Sequence, residues 1–483
     1  MFIGREQELE FLEERYCSNK SELIILYGRR RVGKTETLKQ FCTGKNHVFF
    51  TCTEVTDYAQ LQKFSESLLS TGMEASRYVR SFEDWEMALD SIGKLPFPGK
   101  KLMVIDEFPY MCKGNRSIPS ILQKLWDLRL KDENVMIILC GSAMSFIEKE
   151  ILSEKNPLYG RTTGIFKMKE MGFYDAAKFF PAYSPSDKIS TYAILGGIPH
   201  YLLQFEQNLS VEENIKNNIL MKGCPLYTET EFLLKQELRE TAYYNMLVSA
   251  IAMGSTSMQD ITTKTSIGAT KASSYLNNLM ELGIVGREFS VSHKIKNASP
   301  NSRGLYHLND NFFRFWYAFV FPNLGQLESG NLNDIYQYVI EPGMPRYVSF
   351  AFEDVCRQFV RRLSNEGKLP FPASEIGRWW GKRTGRNLES GKLETRAVEI
   401  DLIAEDYRKE FCMVGECKYT NEPVGTSVLS ALKEKYPPDA DGLQIIYALF
   451  AKSGFKDSLH LESEDVLLFT LDDITEGNES ESI

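Results

Sequence analysis

The segment Leu23-Ile24-Ile25-Leu26-Tyr27-Gly28-Arg29-Arg30-Arg31-Val32-Gly33-Lys34-Thr35 is an apolar run that ends on Gly-x-x-x-x-Gly-Lys-Thr. It predicts a buried strand, a loop, and then a helix from Glu36 to Phe41. Glycines at 28 and 33 allow the backbone φ > 0, so that the loop N–H groups can wrap a polyphosphate. Lys34 reaches the β- and γ-phosphates, the Thr35 hydroxyl can ligate Mg²⁺, and the helix N-terminus favours the anion. Gly28, Arg29, Arg30, Arg31, Val32, Gly33, Lys34, Thr35 and Glu36 therefore form the expected nucleotide-binding segment. A Gly- and Arg-rich surface turn would require neither the strand before it nor the helix after it.

The chain around this loop is 483 residues long, which suggests about three domains. With 43% hydrophobic and 25% charged residues it is ordinary globular material. A net charge of −9 provides no global field to attract nucleic acid, so any contact with DNA has to be local. Nine cysteines without a Cys-x-x-Cys pair, and only five histidines, argue against structural zinc and for a reducing compartment. The start, Met1 to Glu6, has neither a basic region nor an apolar core of the kind that targets secretion. No apolar run approaches a membrane span, so a cytoplasmic protein with no membrane partner is expected.

Leu9, Leu12 and Tyr16 lie at helical spacing near the start. Apolar runs at 23–27, 47–53, 101–106, 135–141 and 164–169 then alternate with helical segments, the signature of a parallel α/β sheet. Ligands of such sheets sit at the carboxyl ends of the strands, where the Gly28–Thr35 loop falls. The run Lys101 to Ile105 ends on Asp106 and Glu107. Asp106 is placed to hold Mg²⁺ and Glu107 to orient the attacking water. The run from Val135 ends on Gly141 and Ser142, whose hydroxyl either senses the γ-phosphate or merely closes a turn.

These residues resemble the archaeal-type ATPases of the AAA+/STAND group of P-loop NTPases. The resemblance extends to Pro157-Leu158-Tyr159-Gly160-Arg161 and Leu195-Gly196-Gly197-Ile198-Pro199. It implies ATP and Mg²⁺ as ligands and an ATPase core over residues 1–171 with a helical lid over 172–240. It also implies a place near the adenine for Phe2 to Glu6, an arginine finger or γ-phosphate contact at Arg161, and a lid contact at Pro199. Read from the residues alone, Arg161 is equally an ion-paired side chain in a Gly-flanked turn. A homo-oligomer is a further expectation.

Residues 241–327 carry a winged helix-turn-helix order, with helices over Thr241–Met253, from Ser257, and over Ala269–Leu282. Strands Val285–Ser290 and Gly304–Leu308 follow, joined by a polar wing with Lys294, Lys296 and Arg303. The third helix offers Thr270, Lys271, Ser273, Ser274 and Asn277 to a DNA groove, or the module serves as a lid or protein-docking element. The aromatic run Phe312 to Tyr317 is expected to be a helix packed between domains rather than a base-stacking platform.

The last part, 328–483, opens with a Gly-, Pro- and Asn-interrupted connection, Glu328 to Pro345, and a helix from Tyr347 to Leu363 carrying Glu353. Strand-like runs Val398–Ala404 and Phe411–Lys418 form an expected hairpin. If Asp401 lies opposite Glu416, then two carboxylates and the Lys418 ammonium converge, a set suited to metal-assisted phosphodiester hydrolysis. Glu353…Asp401…Glu416-x-Lys418 resembles the PD-(D/E)xK nucleases, a restriction-endonuclease-like α/β fold, although Ile400 stands where that family often has Pro. The resemblance implies Glu353, Asp401 and Glu416 as metal ligands, Lys418 as the catalytic lysine, and DNA as partner. Residues 361–396 hold nine Lys/Arg against four Asp/Glu, a basic island in an acidic chain. Two functions are expected to compete: an ATPase that acts on DNA, and a nucleotide-dependent switch or scaffold for a protein partner with an idle nuclease fold.

Overall fold

The computed structural model describes residues 2–291, 304–386, 393–438, 442–462 and 466–476. The chain divides into two compact units, Met1–Met171 with Ile198–His200, and Gly172–Gly197 with Tyr201–Ile483.

The first unit is built on a five-stranded sheet of order β2-β3-β4-β1-β5. Its strands are β1 (Glu22–Gly28), β2 (His47–Thr51), β3 (Lys101–Asp106), β4 (Val135–Gly141) and β5 (Gly164–Met168). Every pairing is parallel, as the alternation of apolar runs and helices predicts. β1 and β4 are buried along their whole length, because helices cover both faces of a parallel sheet. Since β4 lies between β3 and β1, the ends of all three strands emerge side by side at the carboxyl edge. The helix Lys34–Cys42 starts directly after Gly33, two residues earlier than expected.

One expectation about the loop is corrected. Gly33 is left-handed, with φ 93°, but the second positive-φ position is Arg31, at 70°, and not Gly28. Gly28 is a glycine for space, since a Cβ there would collide with the carbonyl oxygen of Met168 on β5.

The second unit begins with short helices. Thr241–Ala252, Met258–Thr265 and Ala269–Glu281 follow, with Ser257 capping the middle one through Asp260 N–H. An antiparallel hairpin comes next, β6 (Val285–Glu288) on β7 (Leu305–Leu308). Lys294, Lys296 and Arg303 lie outside the described residues. Phe312, Phe313, Phe315, Trp316 and Tyr317 are buried, which makes them packing residues. The connection expected over Glu328–Pro345 is instead helical from Leu332, and the helix Glu341–Asn365 contains Pro345. Pro342 sits in its first turn, where an amide N–H need not find a helical partner, and Pro345 lies inside the helix.

The C-terminal sheet has order β12-β11-β10-β9-β8. Its strands are β8 (Ala373–Arg386), β9 (Leu393–Asp406), β10 (Phe411–Lys418), β11 (Gln444–Ala451) and β12 (Val466–Thr470). β9 and β10 are the expected hairpin, with Cys412 opposite Glu405 and Gly415 opposite Leu402. Asp406 accepts the N–H groups of Arg408, Glu410 and Phe411 at 2.8–3.1 Å, which ties the turn. Ser290 and Val291, just past β6, bond to Trp380 and Arg378 of β8.

Candidate nucleotide site and a second carboxylate cluster

In the first unit the phosphate loop, Asp106, Glu107 and Ser142 form one hydrogen-bonded group. Lys34 is buried and donates to the carbonyls of Gly28 at 2.9 Å and Arg29 at 3.0 Å, inside the loop it would leave on meeting a phosphate. Burial lowers its pKa, opposed by the Glu107 and Asp106 carboxylates. The Thr35 hydroxyl donates to Asp106 Oδ2 at 2.8 Å. A hydroxyl and a carboxylate in contact are oxygen donors of the kind Mg²⁺ takes, so these residues fit the ion. Asp106 Oδ1 accepts the N–H of Glu107 at 3.0 Å, and Glu107 itself is left-handed, with φ 52°. That turn swings Glu107 toward the neighbouring strand end, where Ser142 Oγ donates to its Oε2 at 2.9 Å. Glu107 and Ser142 border a cavity of about 600 Å³ that Arg30 also lines.

Two further groups hold the loop. A Cβ on Gly33 would lie 3.7 Å from Pro199 Cγ, so Pro199 sits against the loop. Beside it, burial and the Arg31 charge lower the pKa of His200. Arg5, also buried, donates to the Val32 carbonyl at 2.6 Å, the Lys169 carbonyl at 2.8 Å and Glu8 at 2.7 Å. Sequence reasoning placed Arg5 in a motif but missed this clamp; its only signal is a Gly-Arg pair at the mouth of a helix, which does not name its partner.

Arg161 is ion-paired. Its guanidinium donates to both oxygens of Asp127, at 2.9–3.2 Å, and to the Tyr159 carbonyl. That is the ion-paired alternative which the residue type alone had suggested.

In the second unit the β9–β10 hairpin brings Asp401 and Glu416 to one end of the sheet. Asp401 Oδ2 accepts the Cys417 N–H at 2.9 Å, and Lys418 donates to Glu416 Oε1 at 2.7 Å. The helix Glu341–Asn365 supplies Glu353, whose pKa is pushed up to about 7 by burial and the Asp401 charge. Asp401 is raised as well, by burial and Glu416. Lys435, at the end of the helix Thr426–Lys435, donates to both Glu416 oxygens at 2.9 and 3.1 Å. This second lysine was not foreseen, because the helix that carries it is separated from Glu416 in sequence. Arg378 lies 3.9 Å from Glu353 and also pairs with Glu288 and Glu399.

Glu353, Asp401 and Glu416 belong to one electrostatic cluster. Among the described residues no three His, Cys, Asp or Glu side chains are grouped to hold a metal ion. Glu416 meets two ammonium groups, and Glu353 stands beside two guanidiniums. The Asp401 charge raises Glu353 and the Glu416 charge raises Asp401, a repulsion that a divalent cation would relieve.

The third helix of the middle module exposes Thr270, Lys271, Ser274 and Asn277, with Ser273 half-buried. Its single cation, Lys271, rests on the Tyr243 ring, 3.5 Å from the centroid. No described helix is long and apolar enough to cross a membrane.

Comparisons with known proteins agree with the first unit. Residues 2–205 match an ATPase domain found predominantly in Archaea, and residues 316–433 match a domain of archaeal and bacterial proteins of unknown function. An uncharacterized protein of Methanocaldococcus jannaschii is 30% identical over 479 residues, 98% of this chain and 100% of that protein. An uncharacterized ATP-binding protein of the same organism is 60% identical over 45 residues, 9% of this chain and 76% of that protein. Among solved structures, a Walker-type ATPase of Pyrococcus abyssi is similar over 65% of this chain and 96% of its own, at 20% identity and a TM-score of 0.46. With a phosphate loop at the carboxyl edge of a parallel sheet and a relative that matches it from end to end, the chain belongs to the family of that Methanocaldococcus protein, archaeal-type P-loop ATPases with a second domain of unknown function.

Proposed function

We propose that this ATPase hydrolyses Mg²⁺-ATP at the Gly28–Thr35 loop and couples the cycle to metal-dependent action of its C-terminal domain on DNA. The observation that carries the first half is the chain of contacts Thr35–Asp106–Glu107–Ser142. Thr35 and Asp106 would hold Mg²⁺, which neutralises charge on the phosphates. Lys34 leaves the loop carbonyls for the β- and γ-phosphates. Glu107 orients the attacking water while Ser142 fixes the rotamer of that carboxylate. Pro199 closes over the loop. The parts are an ATPase core over 1–171, a lid over 172–240, a winged helix with its aromatic connector over 241–327 and a nuclease-like domain over 328–483.

The second half rests on Asp401, Glu416 and Lys418 at one end of a hairpin, with Glu353 electrostatically coupled to Asp401. Asp401 and Glu416 would hold a metal, and Lys418 would orient the water. DNA would be met by the middle module and the basic segment around Arg378. A second reading is favoured by Lys435 and Lys418 both occupying Glu416. In it the C-terminal site is idle, and the protein is a nucleotide-dependent switch for a protein partner.

One experiment separates the readings. The full chain is incubated with plasmid and single-stranded DNA in Mg²⁺ or Mn²⁺, with and without ATP. Cleavage that disappears in Asp401→Ala and Lys418→Ala supports action on DNA. No cleavage under any condition supports the switch.

A further inference from the structure

We infer that Arg30, within the phosphate loop, is the cation that stabilises the transferring γ-phosphate, supplied by the same chain that binds the nucleotide. Three observations carry this. Arg30 lines the cavity of about 600 Å³ together with Glu107 and Ser142, the two residues on the side from which water must approach. It does so from the loop position next to Arg31, the left-handed residue of the turn, at φ 70°. Its charge also bears on Lys34, the phosphate-binding ammonium. Arg30 thus bears on Lys34 by its charge and shares one cavity with Glu107. Arg161, the other arginine considered, is held by Asp127.

The cavity is lined by Arg30, Lys113 and Arg116 against Glu107 and Glu150, a small excess of positive charge that favours an anion. In the step itself, the water oxygen forms a bond to the γ-phosphorus as the bond to the β–γ bridging oxygen breaks. The electron pair of that bond stays on ADP, and the water proton leaves toward Glu107. Arg30 donates to a γ-phosphoryl oxygen, whose charge needs a partner as the bond to ADP loosens. The Arg5–Val32 clamp keeps the loop from shifting when Lys34 leaves its carbonyls.

The inference rests on the loop reading above and is tested with the full chain. Arg30→Ala should bind ADP within about threefold of wild type while its turnover falls roughly 100-fold or more. The ADP–tetrafluoroaluminate complex, which mimics the transition state, should be lost in Arg30→Ala and partly recovered in Arg30→Lys. Wild-type turnover per chain should not depend on protein concentration. Equal loss of ADP and ADP–tetrafluoroaluminate affinity would overturn the inference, because Arg30 would then serve only the fold of the loop. So would unchanged turnover in Arg30→Ala, or wild-type turnover that rises with protein concentration. A wild type without turnover would instead strike at the Glu107 mechanism itself.

Discussion

Glu353 shows how much a single buried carboxylate can report. Its pKa is raised to about 7, from an ordinary value near 4.5, by burial and by Asp401. A folded-state pKa above the unfolded one means that the protonated form is favoured in the fold. The associated stability is complete below about pH 4.5 and is lost as pH rises through about 7. Glu353→Gln should therefore melt higher than wild type at pH 8, by on the order of 2 kcal/mol, and close to wild type at pH 4. Thermal melts across that range check it, and an equal difference at both ends would contradict it. Residue identity made Lys34, Thr35 and Asp106 legible, because their spacing is tied to one chemistry. It did not reveal that Glu107 is left-handed or that Ser142 holds it. Those facts depend on strand order, which puts β3 beside β4.

At the scale of elements, two tight spots position the sites. Gly28 ends β1 against β5, with no room for a Cβ beside Met168. Gly28→Ala should cost about 1–3 kcal/mol by overpacking and weaken nucleotide binding through the displaced loop. A melting curve together with an ADP titration tests this; an unchanged melt would refute the packing argument. The β9–β10 turn depends on Asp406, whose carboxylate takes three backbone N–H groups. Against burial, which pushes its pKa up, the amides of Phe411, Arg408 and Glu410 hold it below the usual range. A depressed folded-state pKa gives stability that is present above the unfolded value and is lost as pH falls through the folded one. Asp406→Ala should cost about 1–2 kcal/mol at pH 7, with a smaller difference in acid. Equal differences at pH 7 and in acid would exclude the turn carboxylate as the cause. The hairpin was legible as two apolar runs around a polar turn. Lys435 was not, because no pattern in a helix says which distant carboxylate its last lysine will meet. The helix through Pro345 differs from the expected connection, since interruptions by proline and glycine look alike in a helix and in a loop: Pro342 lies in the first turn and Pro345 inside the helix.

For the whole molecule, the repeated apolar run and helix made the first unit readable, and the aromatic run read correctly as packing. The second unit was less legible. Its sheet mixes antiparallel and parallel pairings, and its carboxylates are balanced by cations from four different elements. What joins the two units is the proposed ATP cycle, in which the conversion of bound ATP to ADP would rest on Glu107. The most direct measurement is ATP binding and Mg²⁺-dependent turnover by the full chain and by Glu107→Gln. The account predicts that the variant binds ATP within about threefold of wild type and turns it over about 100-fold more slowly. Hydrolysis by Glu107→Gln at the wild-type rate would contradict it.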